Sequence, residues 1–170
     1  MTEAQETDSV CSVIELRKKA RKRGVREVCL SNGHILLCPD DVSVRWHLRP
    51  GATLAEEALS RLQAEAEVAL AVREALEIIA RAPRSEQELV TRLRRKGFGA
   101  AATTQAVARV GELGYIDDEA YARMMVARLE RKGDMGYLRM RQELLRRGIS
   151  VSVADAVLGP VDHLQERERA

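Results

Sequence analysis

The chain has 170 residues, 45% hydrophobic and 32% charged, with a net charge of +2. That length admits one compact domain or a row of small units around a buried core, and so small a charge does not by itself indicate nucleic-acid binding. Aromatic residues make up 3%, too few for a platform on which single-stranded DNA bases would stack.

Ala, Leu, Val, Arg and Glu dominate, and all of these except Val lose little side-chain freedom in a helix, so a mainly helical fold is expected. Three cysteines (Cys11, Cys29, Cys38) are an odd number without disulfide-framework spacing. No run of about 18 apolar residues predicts a membrane span. The polar, acidic start lacks the basic-then-apolar order of a signal peptide. A reducing cytosol is the expected compartment. Charge alternates along the chain: residues 11–52 carry nine basic and four acidic groups (+5), 53–82 three and six (−3), and 83–116 six and three (+3). Such alternation suits contact with a polyanion or an acidic protein groove, or an ordinary solvated surface.

In chain order, residues 1–10 have no apolar period and are expected to be disordered. Residues 12–16 read as a short strand, followed by the basic loop 17–23. Two apolar runs, 25–30 and 34–38, flank Asn32-Gly33, a strong hairpin signal. A two-residue loop there would set Leu30 opposite Ile35 and Val28 opposite Leu37 on one core face, leaving Glu27, Cys29, Leu36 and Cys38 on the other. A small sheet of two or three strands is therefore expected within residues 11–52, with a short helix over 40–47 and a turn at Arg49-Pro50-Gly51. Thr53-x-x-Glu56 has the form of a capping box. Residues 54–82 contain no Gly or Pro and predict one long helix or two, with Val68, Val72, Leu76 and Ile79 on one face. This stretch, 53–82, connects to the helices that follow.

From Pro83 onward, helices are punctuated by glycines. Ser85-x-x-Glu88 caps a helix through Leu89 and Leu93 that stops at Gly97. Residues 101–113 carry Val107 and Val110 inward and stop at Gly114. Asp117 or Asp118 caps a helix through Tyr121, Met125 and Leu129 that stops at Gly133. A helix over 137–147 stops at Gly148, and another starts at Ser150 or Ser152 and reaches Gly159-Pro160, before a frayed tail over 163–170. Shifting the sequence by 51 residues superposes Leu89 on Met140, Leu93 on Leu144, Gly97 on Gly148, Phe98 on Ile149, Val107 on Leu158 and Val110 on Val161. The fold class expected is mainly α: tandem three-helix repeats in a curved array, preceded by a small β-hairpin region. The first repeat is completed by residues 83–116 and the second spans 117–162.

Arg84-Ser85-Glu86-x-Glu88-Leu89, Leu93, Lys96-Gly97-Phe98 and Leu113-Gly114-Tyr115-Ile116-Asp117-Asp118, continued by Tyr121-Ala122, resemble the first helical repeat of the RecX family. Lys132-Gly133 and Arg141-Gln142-Glu143-Leu144 to Gly148-Ile149 resemble its second, and Leu48-Arg49-Pro50-Gly51 is similar to the segment preceding the repeats. The resemblance covers roughly residues 11–160. It implies a protein without catalytic chemistry that binds in the helical groove of RecA recombinase filaments and lowers their ATPase and strand-exchange activities. This sequence departs from the family in two places: the third repeat is missing or reduced to the tail after Pro160, and Tyr137 stands where Pro often follows Gly136.

The candidate filament- or DNA-binding residues are the basic helix ends: Arg92, Arg95 and Lys96; Arg128, Arg131 and Lys132; and Arg139, Arg146 and Arg147. Lys18, Lys19, Arg21, Lys22 and Arg23 of the basic loop join them. Cations in a last helical turn also complement the helix dipole. Stacking of the repeats is expected to bring these ends onto one rim able to meet phosphates or carboxylates. Asp117-Asp118 are expected to cap a helix rather than bind metal. Cys29, His34 and Cys38 do not suit zinc, because four residues along a strand separate His34 from Cys38 by roughly 13 Å. No catalytic residue, metal or cofactor is expected. The partners expected are the RecA filament and DNA, not a membrane, and the chain is expected to be a monomer. A different reading of three-helix units is a helix-turn-helix regulator binding duplex DNA; a third is a helical adaptor for another partner.

Overall fold

The computed structural model describes residues 10–20, 22–131, 133 and 136–159; the expectations placed on 1–9, Arg21, Lys132, Val161 and the tail lie outside them. The chain divides into two compact units, Met1–Ala71 and Val72–Ala170. In chain order, the first contains β1 (Cys11–Lys18), β2 (Val25–Leu30), β3 (Ile35–Pro39), α1 (Asp40–Arg45), β4 (Thr53–Leu54) and the start of α2 (Glu56–Arg81).

Its sheet has four antiparallel strands in the order β3-β2-β1-β4, larger than the expected two or three. Thr53 is not a helix cap. It pairs with Ser12, and Leu54 pairs with Cys11, so the chain covers the free edge of β1 before α2 begins. The basic stretch is also partly strand, since β1 runs on through Arg17 and Lys18.

The hairpin register is one residue away from the expected one. Cys29 faces Ile35 and Val28 faces Leu36. The closing bonds are Leu30 N–H to His34 O and Gly33 N–H to Leu30 O, which makes Ser31-Asn32-Gly33 a three-residue loop. Only Gly33 takes positive φ, +82°, whereas a two-residue type I′ turn would need Asn32 to do so too. A one-residue slip turns every β3 side chain over. Leu36 and Cys38, not Ile35 and Leu37, therefore join Val28 and Leu30 at the core, and Ile35 is 61% exposed. Ile14 sits at a bulge between Val13 and Glu15. The bulge shifts the inward positions of β1 from Cys11 and Val13 to Leu16. Ile35→Thr is expected to change stability by no more than about 0.5 kcal/mol, and Leu30→Ala to cost about 2–5 kcal/mol. Denaturant titration of both variants reads the register.

The core of this unit is closed by Val42 of α1 and by Leu59, Leu62 and Ala66 of α2. Glu65 of α2 accepts from Trp46 Nε1 at 2.7 Å and pairs with Arg45. Cys38 is fully buried. Burial, reinforced by Asp41, Glu65 and Asp40, pushes its thiol up to about 11. Between pH 9 and 11 the native state keeps a proton that the unfolded chain releases, so this group makes stability fall as pH rises through that window. Cys38→Ala should flatten the fall in a pH series of denaturation midpoints.

The 26-residue α2 is a single helix, about 39 Å long at 1.5 Å per residue. In the second unit its buried positions are Ala75 and Ile78, continuing the stripe from Ala71, one step around from the expected Val72, Leu76 and Ile79, which are half-buried. Small side chains on the innermost stripe allow neighbouring backbones to approach closely. The unit continues with α3 (Glu86–Arg95), α4 (Ala100–Glu112), α5 (Asp118–Glu130), α6 (Tyr137–Arg146) and α7 (Val151–Leu158). Helices α3 and α6 coincide under the 51-residue shift, and the fully buried Ala71 and Leu93 fall on the fully buried Ala122 and Leu144. The chain thus holds tandem three-helix repeats after a small sheet: α3 and α4 follow the end of α2, and α6 and α7 follow α5.

Candidate functional site

The repeat helices end in the same way for a local reason. Gly97 and Gly148 lie in the left-handed region, at φ +94° and +81°. Phe98 N–H then reaches back to Leu93 O, and Ile149 N–H to Leu144 O. These six-to-one bonds satisfy last-turn carbonyls and fold an apolar residue back over the helix. The basic side chains preceding each glycine are thereby fixed at a helix tip.

The tip of α6 meets the beginning of α3. Ser85 caps α3 by accepting from Glu88 N–H, and its hydroxyl donates to the carbonyl of Arg147. Arg147 donates to Glu88 at 3.3 Å, to Tyr121 Oη at 3.2 Å and to Glu143 at 2.8 Å, while Tyr121 itself donates to Glu88. The hydrogen bond to Tyr121 is the largest influence holding the guanidinium's pKa above its ordinary value, against its partial burial. Burial raises the carboxyl of Glu143, but its bonds from Arg147 and Arg146 outweigh that and hold it below the usual range. Asp117 caps α5 through Ala120 N–H, as expected, and Asp118 reaches across to cap α3 through Glu86 N–H at 2.9 Å. Burial, the dominant influence, raises the carboxyl of Asp118 despite that bond. These contacts join the two repeats.

This joint places several of the expected site residues together. Gln87, Glu88, Thr91, Arg92 and Arg95 of α3, with Leu145, Arg146, Arg147 and Gly148 at the end of α6, line a groove of about 330 Å³. Arg92 and Arg95 are exposed and make no side-chain ion pair among the described residues. The remaining cations differ in how far they are engaged. Arg146 is paired with Glu143 through two bonds, Arg147 is committed to the joint, and Lys96 is held 2.8 Å from the nearly buried Glu74. Arg128 and Arg139 are exposed and line no part of this groove, and Arg131 turns back to the carbonyl of Ala127.

In the first unit, Lys18, Lys19, Lys22, Arg23, Arg26 and Asp40 border a hollow of about 550 Å³. Lys19 pairs with Glu27 at 2.5 Å and Arg26 with Asp40 at 2.7 Å. Among the described residues no three His, Cys, Asp or Glu side chains are grouped to hold a metal ion, and no helix is long and apolar enough to cross a membrane.

Reading the sequence locally missed Arg81 and Arg84, which join Arg92, Arg95 and Lys96 around a second hollow. It also missed the pairing of Arg147 with Glu88. The signal present was Glu88 at the third position of α3, but the expected reciprocal capping bond is replaced by contacts to Tyr121 and Arg147.

Residues 71–109 match the family model described as the first three-helix domain of RecX, and residues 117–158 match its second. A regulatory protein RecX of Chlorobium phaeobacteroides is 33% identical over 88 residues, covering 52% of this chain and 58% of the relative. One from Trichlorobacter lovleyi is 40% identical over 81 residues, covering 46% and 52%. The chain thus aligns with little more than half the length of these relatives. A crystal structure of regulatory protein RecX has a TM-score of 0.67 at 20% identity, covering 87% of this chain and 72% of that one, a likeness in fold.

Proposed function

The chain belongs to the RecX family, and from that premise we propose that it is a non-enzymatic regulator that occupies the groove of a RecA–DNA filament and restrains ATP hydrolysis and strand exchange. The observation carrying this reading is the groove that the tip of α6 forms along α3, with Arg92 and Arg95 exposed and without ion pairs among the described residues. Guanidinium groups present planar forks suited to carboxylates and phosphates, the two anions a nucleoprotein filament offers. The joint between the repeats holds the α3 side of the groove against the α6 side. Little ordering is then left to be done on binding. Once seated, a rigid basic wedge bridges neighbouring protomers and impedes the rearrangement that DNA pairing requires.

Exposed charges at such an interface mainly govern encounter rate and salt dependence, so binding should weaken steeply with ionic strength. Co-sedimentation of the chain with RecA filaments assembled on single-stranded DNA tests the reading. The expected result is saturable pelleting at low salt that depends on RecA. Sequence-selective binding to naked duplex, with no added retention by RecA, would instead favour a helix-turn-helix DNA regulator. Failure to bind either would leave an adaptor for a different partner.

A further inference from the structure

The opposite flank of the Arg92–Arg95 ridge carries a second cluster of charge. Arg81, at the end of α2, Arg84, in the connection to α3, and Arg92, Arg95 and Lys96 line a hollow of about 330 Å³ floored by Ile78. Two carboxylates offset these five cations: Glu77 lies 4.0 Å from Arg81, and Glu74 lies 2.8 Å from Lys96. Arg84 is anchored by donation to the carbonyl of Pro83, and its Nε is buried without a hydrogen-bond partner among the described residues. Buried donors normally find acceptors. Crowding of like charge around a concave surface is likewise unfavourable until an anion enters.

We propose that Arg81, Arg84, Arg92, Arg95 and Lys96 frame a binding site for phosphate groups. The choice of phosphate over carboxylate follows from geometry. The cations approach from the end of α2, the connection and the last turn of α3, and a tetrahedral phosphate offers acceptor oxygens in all those directions. A planar carboxylate is filled by one guanidinium fork. The volume is about ten times the ~30 Å³ share of a liquid water, room for a diphosphate or a stretch of phosphodiester backbone. This site does not depend on the filament reading and stands if RecA binding fails.

The test uses the full chain without RecA, a fluorescein-labelled single-stranded oligonucleotide read by anisotropy, and inorganic pyrophosphate read by thermal shift. Arg81 and Arg84 do not line the groove at the α6 tip, so R81Q/R84Q isolates this hollow, and Arg109→Gln, at an exposed cation of α4 that borders neither hollow, is the control. R81Q/R84Q should weaken oligonucleotide binding at least tenfold and lower the salt slope by about 0.7 for each phosphate that is no longer neutralised. R109Q should change affinity less than twofold. R81K/R84K, which keeps the charge, should recover most of the salt slope and so separates removal of charge from misfolding. Competition by pyrophosphate with oligonucleotide binding identifies nucleic-acid backbone as a source of the phosphate. A pyrophosphate thermal shift abolished in R81Q/R84Q, without oligonucleotide binding, identifies a free phosphate anion at the same site. Wild-type affinity in the R81Q/R84Q variant, absence of binding to either probe, or displacement by polyglutamate as effective as by pyrophosphate would overturn the proposal.

Discussion

Gly148→Ala should destabilise the second unit by about 2–5 kcal/mol, whereas Gly97→Ala, at the equivalent position of the other repeat, should cost only about 1–2 kcal/mol. Both glycines are left-handed, so an alanine at either position carries the backbone penalty of that region. The difference is what surrounds them. A Cβ at Gly97 would meet nothing within 4 Å, but one at Gly148 would clash with Cβ and Cγ of Gln87 in the first turn of α3. Relief requires the end of α6 to move away from α3, adding an overpacking cost of about 1–3 kcal/mol. Moving it would also strain the bonds that Ser85 and Glu88 make with Arg147. Urea denaturation of the two variants measures the difference. Equal costs would mean that the tip of α6 does not rest on α3.

The largest functional effect is expected from R92E/R95E. These two side chains line both hollows and make no ion pair among the described residues, so reversing them breaks no native pair in the fold. Because both cations lie in the last turn of α3 and complement its dipole, stability should fall by about 0.3–1 kcal/mol per site. Filament co-sedimentation should weaken about tenfold or more, equivalent to roughly 1.4 kcal/mol, because a like charge is then set against an acidic surface. Arg147→Glu would be a poorer probe. Arg147 holds Glu88 and Tyr121 in place, so its replacement would confound binding with folding. Melting curves recorded beside the binding assay separate the two.

What the sequence disclosed and what it concealed divide along the range of the interactions. Helix stops were legible because Gly97, Gly114, Gly133 and Gly148 each take a positive φ at a helix end, a local requirement that other residues meet poorly. Ser85, Asp117 and Ser150 cap their helices through their own side chains, again within a few residues. The 51-residue period exposed the repeat because matching apolar positions recur on matching faces.

Features settled by distant partners were not legible. Register at β3 turns on whether Asn32 adopts positive φ, which Asn permits but does not demand. Three of the six buried positions of α2, Ala66, Ala71 and Ala75, are alanines, while the more hydrophobic Val72 and Leu76 beside them are only half-buried, an order that hydrophobicity along the sequence does not reveal. Arg147 looks like any cation at a helix end until Glu88, 59 positions earlier, is brought alongside it. Arg81 belonged to no motif and Arg84 only to the stretch that opens the first repeat; the fold alone sets them beside Arg92 and Lys96.

The claim that the arginine-lined ridge acts on a recombinase is tested most directly by titrating the chain into RecA hydrolysing ATP on single-stranded DNA, with R92E/R95E in parallel. The expected result is a dose-dependent fall in hydrolysis with the wild-type chain, shifted to at least tenfold higher concentration by the double reversal. Hydrolysis unchanged by saturating wild-type chain, or lowered equally by both proteins, would contradict it.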